Sequence, residues 1–118
     1  MRLTARDRER LEPAARAAGY SLDTLDADLA AGRAMLWHVG GVTITSEVDE
    51  EDVCDIRLAG GKMTFPDMRE LERVVTTSPF HVGVVKYRIW GRKGWRRVYP
   101  HWNFCGMEDG LAVLERDA

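Results

Sequence analysis

The sequence predicts an α/β (α+β) fold in which about four helices flank a mixed, largely antiparallel sheet of about six strands. Two observations predict it. Some segments repeat apolar residues at helical spacing, and others are short β-branched or aromatic runs bounded by turn residues. The predicted order is helix, helix, strand, strand, strand, helix, strand, helix, strand, strand. A chain of 118 residues suits one core, so residues 1–118 are predicted to form a single domain.

The N-terminal third predicts two helices. Thr4 followed by Asp7 has the pattern of an N-cap with an acidic first turn, and apolar residues then recur at helical spacing up to Gly19. Ser21 is predicted to cap a second, shorter helix with its leucines on one side, which ends near Gly32.

Three strands are predicted next, over residues 34–39, 42–48 and 53–59. Gly40-Gly41 between the first two favours a two-residue hairpin turn. Five of residues 47–52 are acidic, so this segment is expected to be a solvated connection. Gly60-Gly61-Lys62 is expected to end the third strand.

The second half begins with a predicted helix over residues 64–77, capped by Thr64, and a long strand over residues 82–90. Two structures are possible after Gly91. Residues 91–94 form a hairpin loop before a strand at 95–99, or Trp95 to Tyr99 form a short helix that ends near Pro100. The helix is preferred. The last strands, 102–105 and 111–114, flank a turn at 107–110.

Charge is separated along the chain. Residues 73–107 contain seven Lys or Arg and no Asp or Glu, whereas the rest of the chain contains ten basic and nineteen acidic residues. Such a separation favours contact of the basic segment with an anionic partner or with the acidic surface of the chain itself.

No apolar run approaches the ~20 residues that cross a bilayer, and the N-terminus lacks the apolar core of a signal peptide. The sequence therefore predicts a soluble protein made in a cytosol. Cys54 and Cys105 both lie among apolar or aromatic neighbours, and we expect them to be reduced and buried. His38 and His81 are isolated and His101 stands four residues before Cys105, which is not zinc-ligand spacing.

The segment Trp-Arg-Arg-Val-Tyr-Pro-His-Trp-Asn-Phe at residues 95–104 resembles the fourth helix of the GNAT (GCN5-related N-acetyltransferase) fold, A-R-x-L-Y-x-x-x-G-F. Arg97, Val98, Tyr99 and Phe104 match, while Asn103 replaces the usual glycine. The block at residues 88–98, with its Gly-Arg-Lys-Gly-Trp core and a closing Leu-Glu-Arg tail, resembles small GNAT-like proteins of tailed phages and prophages.

The resemblance implies an acetyl-CoA loop at residues 57–62. Arg57 and Gly60 fit its spacing, but Lys62 replaces a small residue and Pro66 removes a backbone donor. We therefore expect a degenerate loop and no cofactor. Under an acetyltransferase alternative, acetyl-CoA binds, Tyr99 protonates the leaving thiolate, and Glu47 acts as base through water. The other interpretation of Tyr99, which we prefer, is a core aromatic with its hydroxyl at the surface.

The resemblance and the charge pattern together predict a non-catalytic virion or assembly protein, found in the virion or, before assembly, in the host cytoplasm. Its partners are expected to be other phage structural proteins or further copies of itself. The predicted contact residues are four cations and the indole that anchors their segment: Arg92, Lys93, Arg96, Arg97 and Trp95. A second alternative is nucleic-acid binding, in which these cations contact phosphates and aromatic side chains stack on bases, namely Trp90, Trp95, Tyr99 or Trp102.

Overall fold

The computed structural model describes residues 2–118. These form four α-helices, a short 3-10 helix at Pro79–His81 and six strands. The helices are α1 (Ala5–Ala18), α2 (Leu22–Ala30), α3 (Phe65–Thr77) and α4 (Trp95–Val98). The strands are β1 (Met35–Val39), β2 (Val42–Val48), β3 (Val53–Gly61), β4 (Lys86–Gly91), β5 (Asn103–Glu108) and β6 (Leu111–Asp117).

The six strands make one sheet in the order β1-β2-β3-β4-β6-β5. Every neighbouring pair is antiparallel except β3 and β4, which run parallel from Val53 opposite Lys86 to Ile56 opposite Ile89. The parallel pair needs a long crossover, which α3 provides. The predicted α+β fold with a mixed, largely antiparallel sheet is therefore confirmed.

Helices cover both faces of the sheet. Leu36 packs with α1 and α2 in one apolar cluster, while its neighbour Trp37 packs against the other cluster, beneath α3 and α4. Successive side chains of a strand point to opposite faces, so the two clusters lie on opposite sides of the sheet. The larger cluster contains three aromatic side chains from the α4 region, Trp95, Tyr99 and Trp102.

Three helices begin at the capping residues that the sequence predicted. Thr4 and Asp7 form a capping box at the start of α1, Ser21 caps α2, and Thr64 caps α3. The preferred short helix after Gly91 is confirmed as α4, and the hairpin alternative at residues 91–94 is wrong. Burial alternates along β4, where Tyr87 and Ile89 are buried.

Several strand limits differ from the prediction. β3 does not stop at residue 59, because Gly60 and Gly61 continue to pair with Thr43 and Val42. β4 begins only at Lys86, and Val82 to Val85 precede the sheet. Glu47 and Val48 belong to β2, so only residues 49–52 of the acidic segment form the turn. β5 starts one residue later than predicted and ends at Glu108, while β6 continues to Asp117.

The two cysteines differ in environment. Cys54 is buried in β3, as expected, and burial raises the pKa of its thiol to about 12. Cys105 is exposed, so the prediction that both thiols are buried is wrong for Cys105. The reason is topological: in the sheet that residues 2–118 form, β5 is an edge strand and pairs with β6 alone.

Candidate functional site: a basic surface around α4

Four of the five predicted contact residues are exposed. Arg92, Lys93, Arg96 and Arg97 lie in and just before α4, and we call them the basic surface. Trp95 is different, because it is buried in the larger core cluster. A Cβ added at Gly91 would lie 2.5 Å from Cδ2 of Trp95, so glycine at this position lets the indole pack against the end of β4. Trp95 thus anchors α4 to the core, while the four cations remain exposed to solvent.

The basic surface borders an open cavity of about 750 Å³. Its lining consists of Lys93, Gly94, Arg96, Arg97, Tyr99, Pro100, Trp102, Phe104 and Leu114. The guanidinium carbon of Arg96 lies 3.8 Å from the centre of the Phe104 ring, close enough for a cation–π interaction. This contact ties α4 to the edge strand β5 and leaves Arg96 charged at the rim of the cavity.

The seven cations of residues 73–107 fall into two groups. Arg73 pairs with Glu70, Lys86 Nζ lies 3.6 Å from Glu115, and Arg88 lies 3.6 Å from Asp55 and 3.3 Å from Glu115. Within residues 2–118, by contrast, none of the four cations of the basic surface forms an ion pair. Their charge is therefore available to a partner.

Glu72 of α3 holds the segment that follows α4. Its Oε1 accepts hydrogen bonds from His101 Nε2 at 2.7 Å, Trp102 Nε1 at 3.1 Å and Arg116 Nη1 at 2.7 Å. Burial alone would raise the pKa of Glu72, but these three donors outweigh it and hold the pKa below its ordinary value. The carboxylate thus stays charged and joins α3, the chain after α4, and β6.

Tyr99 is a core residue whose hydroxyl is buried as well. The hydroxyl donates to the backbone oxygen of Met68 at 2.6 Å, and burial raises the pKa of the phenol, with a further contribution from Glu72. The preferred interpretation of Tyr99 as a core aromatic fits this position, but its expected surface hydroxyl is wrong. In this position the hydroxyl proton of Tyr99 is engaged by Met68 O.

Residues 57–62 do not form the loop that the resemblance implies. A Cβ on Gly60 would overlap the backbone oxygen of Arg10, so α1 lies directly on this part of β3. The register slips between Thr45 and Ser46 of β2, which leaves Arg57 as an extra residue in β3. Arg57 Nε lies 3.5 Å from Glu47 Oε1, so this arginine has a partner within the chain.

The first turn of α3 also differs from a pyrophosphate cradle. The Thr64 hydroxyl accepts a hydrogen bond from the backbone N–H of Asp67. Pro66 has no backbone N–H to donate. The Asp67 carboxylate lies against Gly40, where an added Cβ would be 2.5 Å from Oδ2. A negative side chain in the first turn repels a second anion.

Glu47 and Tyr99 are not brought together. Burial raises the pKa of Glu47, with Arg57 opposing the shift, and its charged neighbours include Asp28 and Asp55. Tyr99 packs in the cluster beneath α3 and α4, whereas Arg57, the partner of Glu47, lies over the Tyr20 ring on the α1 side. The acid and base proposed for acetyl transfer thus lie on opposite faces of the sheet.

A buried polar network was not foreseen. Ser46 Oγ lies 3.3 Å from His81 Nε2 and accepts a hydrogen bond from Trp37 Nε1 at 2.8 Å, while His81 Nδ1 donates to Val75 O at 2.7 Å. Its members come from different elements, so no spacing in the sequence could have revealed it. Every polar atom in the network has a partner, which makes it a link between β1, β2 and the end of α3.

The aromatic side chains of the nucleic-acid alternative are mostly unavailable for stacking. Trp95, Tyr99 and Trp102 are buried, and the half-buried Trp90 directs its Nε1 to Asp55 at 3.5 Å. In residues 2–118, no three His, Cys, Asp or Glu side chains converge as metal ligands would, and no helix has the length and apolar character to span a bilayer.

No protein-family model, curated protein or solved structure matches this chain.

Proposed function

We propose that this chain is a non-catalytic interaction protein that binds an acidic protein surface through its basic surface. The observation that carries the proposal is the group of four exposed cations without ion pairs in residues 2–118, beside a cavity of about 750 Å³. Trp95 and Glu72 support these cations from the core. A preformed charged surface of this kind binds with little loss of conformational entropy.

The biological setting of the proposal comes from the sequence resemblance. Small GNAT-like proteins of tailed phages suggest a virion or assembly component, present in the virion or in the host cytoplasm before assembly. Arginine is among the residues most enriched at interface hot spots, and the basic surface contributes three arginines around α4. The partners in this proposal are structural proteins of the particle or further copies of the chain.

Acetyl-CoA-dependent N-acetyl transfer is less well supported. The Tyr99 hydroxyl is engaged by Met68 O, Asp67 and Pro66 occupy the first turn of α3, and Gly60 packs on α1. Nucleic-acid binding shares the cations with our proposal, but Trp95 and Trp102 are buried and the exposed ring of Phe104 is already covered by Arg96.

The proposal is tested by comparing three probes: poly-L-glutamate as an acidic polypeptide, duplex DNA, and acetyl-CoA. We expect the protein to bind poly-L-glutamate and to give no heat with acetyl-CoA in calorimetric titration. The variant Arg96→Glu/Arg97→Glu is expected to lose about tenfold or more in affinity for poly-L-glutamate, because the charges reverse at the contact.

A matched control is Arg6→Glu/Arg69→Glu, which makes the same change of charge at exposed positions of α1 and α3. It should bind poly-L-glutamate nearly as well as the parent chain. Saturable acetyl-CoA binding, together with acetyl transfer that falls in Tyr99→Phe, would establish the enzyme instead. Tighter binding to duplex DNA than to poly-L-glutamate, with a steep salt dependence, would establish the nucleic-acid alternative.

A further inference from the structure

The turn between β2 and β3 carries a compact acidic surface. Glu50, Glu51 and Asp52 are exposed, and within residues 2–118 none of the three forms an ion pair. The Asp49 carboxylate holds the turn, because its Oδ1 accepts hydrogen bonds from Glu51 N at 2.8 Å and Val53 N at 3.0 Å. The three free carboxylates are thus displayed from a fixed turn.

Exposed apolar side chains lie beside this turn. Val85 N donates to Asp52 O at 2.9 Å, which places the segment before β4 against the acidic turn. In that segment Phe80, Val82 and Val85 are 69%, 84% and 58% exposed. We call these three residues, with Glu50, Glu51 and Asp52, the acidic end. A charged rim around exposed apolar side chains is typical of a protein contact surface.

The basic surface has apolar neighbours too. Phe104 and Met107 on the edge strand β5 are 40% and 51% exposed, and Phe104 lies under Arg96. Each of the two regions therefore combines apolar side chains with unpaired charge, and the two charges have opposite sign.

The acidic end and the basic surface lie apart in the molecule. β3 and β4 are parallel and begin together, with Val53 opposite Lys86, so the acidic turn before β3 lies at the end of the sheet where β4 starts. Arg92 and Lys93 follow the other end of β4, about 15 Å away at ~3.3 Å per residue. The two regions cannot neutralise each other within one chain, but those of two different copies can meet.

We propose that the acidic partner of the basic surface is a second copy of this chain, which docks its acidic end there. This inference rests on the proposed function and names its partner. The contact joins different patches on the two copies, so each bound copy still presents one free acidic end and one free basic surface. Such heterologous contacts build rings or filaments rather than closed twofold dimers.

Two variants separate the two sides of the contact. Arg96→Glu/Arg97→Glu reverses charge in the basic surface and keeps the acidic end, whereas Glu50→Ala/Glu51→Ala removes charge from the acidic end and keeps the basic surface. The mass of each is measured by size-exclusion chromatography with light scattering over a range of concentrations. Because all four side chains are exposed, thermal unfolding should show that both variants remain folded.

We expect the parent chain to form species larger than a dimer that dissociate as salt rises. Each variant alone should be monomeric, and an equimolar mixture of the two should give a dimer and nothing larger, because only one competent contact exists between them. A mixture that stays monomeric, or variants that assemble as the parent chain does, would overturn the inference.

The outcome also separates this inference from the proposed function. A parent chain that is monomeric at every concentration yet binds poly-L-glutamate through Arg96 and Arg97 would remove the second copy as partner and leave the proposed function standing. A monomeric chain that does not bind poly-L-glutamate would remove both.

Discussion

At the scale of single residues, the basic surface depends on side chains that carry none of its charge. Glu72 Oε1 accepts from three donors that lie 29, 30 and 44 residues further along the chain. Trp95 fills the space above Gly91. The cations keep their positions because the partly buried Glu72 and the buried Trp95 fix the chain around them.

Glu72→Gln is expected to lower the free energy of unfolding by about 2 kcal/mol at neutral pH, since a buried charged acceptor loses its charge. The folded-state pKa of Glu72 lies below the ordinary value of 4.5. Its contribution is therefore fully present above that pH and is lost as the pH falls through the folded-state value. Urea unfolding at several pH values checks both statements, and the variant should show a shallower loss of stability in acid.

The control for this change is Glu70→Gln on the same helix. Glu70 is exposed, and among residues 2–118 its one ion-pair partner is Arg73, so its replacement should change stability by less than about 0.5 kcal/mol. Equal effects of the two substitutions would show that the Glu72 cluster does not hold the segment after α4.

The sequence predicted the charged and anchoring residues of the site better than the hydrogen bonds that hold them in place. Four cations and one tryptophan within six residues are visible in the sequence, and the structure places them in and just before one short helix with the indole inside. The bonds to Glu72 were not predictable, because they join positions that only the folded sheet brings together. Tyr99 shows the same limit: its aromatic type predicts burial, but its bond to Met68 O depends on where α3 lies.

At the scale of elements, the contact between α1 and β3 explains the first glycine of the Gly60-Gly61 pair. Gly60 lies in a strand and not in a turn. The residue is glycine because the backbone of α1 at Arg10 leaves no room for a Cβ. A glycine pair usually predicts a break, and here tertiary packing overrides that signal. Helix limits were predicted well because capping is local.

Gly60→Ala is expected to destabilise the fold by about 3 kcal/mol, because the added methyl group must displace α1 from β3. The matched control is Gly94→Ala, where a Cβ meets nothing within 4 Å and the backbone is already helical at φ −67°. Chemical denaturation compares the two variants. A Gly60→Ala protein as stable as the parent chain would contradict the close approach of α1.

Tertiary context also determines that residues 82–85 lie outside β4. Their β-branched composition predicts a strand, yet Val82 and Val85 are exposed and β4 starts only at Lys86. β3 begins at Val53, opposite Lys86, so residues 82–84 precede the paired strands. Val85 makes backbone hydrogen bonds with Asp52 and Ala118, just beyond the ends of β3 and β6. The sequence pattern alone could not show where the partner strand begins.

At the scale of the whole molecule, the small net charge of −2 conceals two regions of opposite sign. Cations on β4 are neutralised within the chain, since Arg88 contacts Asp55 and Glu115. The cations around α4 have no ion-pair partner among residues 2–118. Under the proposed function, paired cations contribute to stability and unpaired cations contribute to binding.

Arg92→Gln/Lys93→Gln should therefore change the free energy of unfolding by less than about 0.5 kcal/mol, because no internal partner is lost. Arg88→Gln should lower it by about 2 kcal/mol, since the buried Asp55 carboxylate loses its ion-pair partner and Glu115 keeps only Lys86 among residues 2–118. Thermal or urea unfolding of the dilute proteins distinguishes the two. A large loss in Arg92→Gln/Lys93→Gln would assign those side chains to the fold rather than to a partner.

The parallel junction between β3 and β4 has a consequence for the order of folding. It joins two three-stranded antiparallel units, β1-β2-β3 and β4-β6-β5, through only four residue pairs. Each unit is built from contacts between segments close in sequence, whereas the junction must first close the long segment that contains α3, at a cost in chain entropy. We expect the units to form early and the junction late. The cations around α4 then reach their final positions only when the crossover helix docks and delivers Glu72.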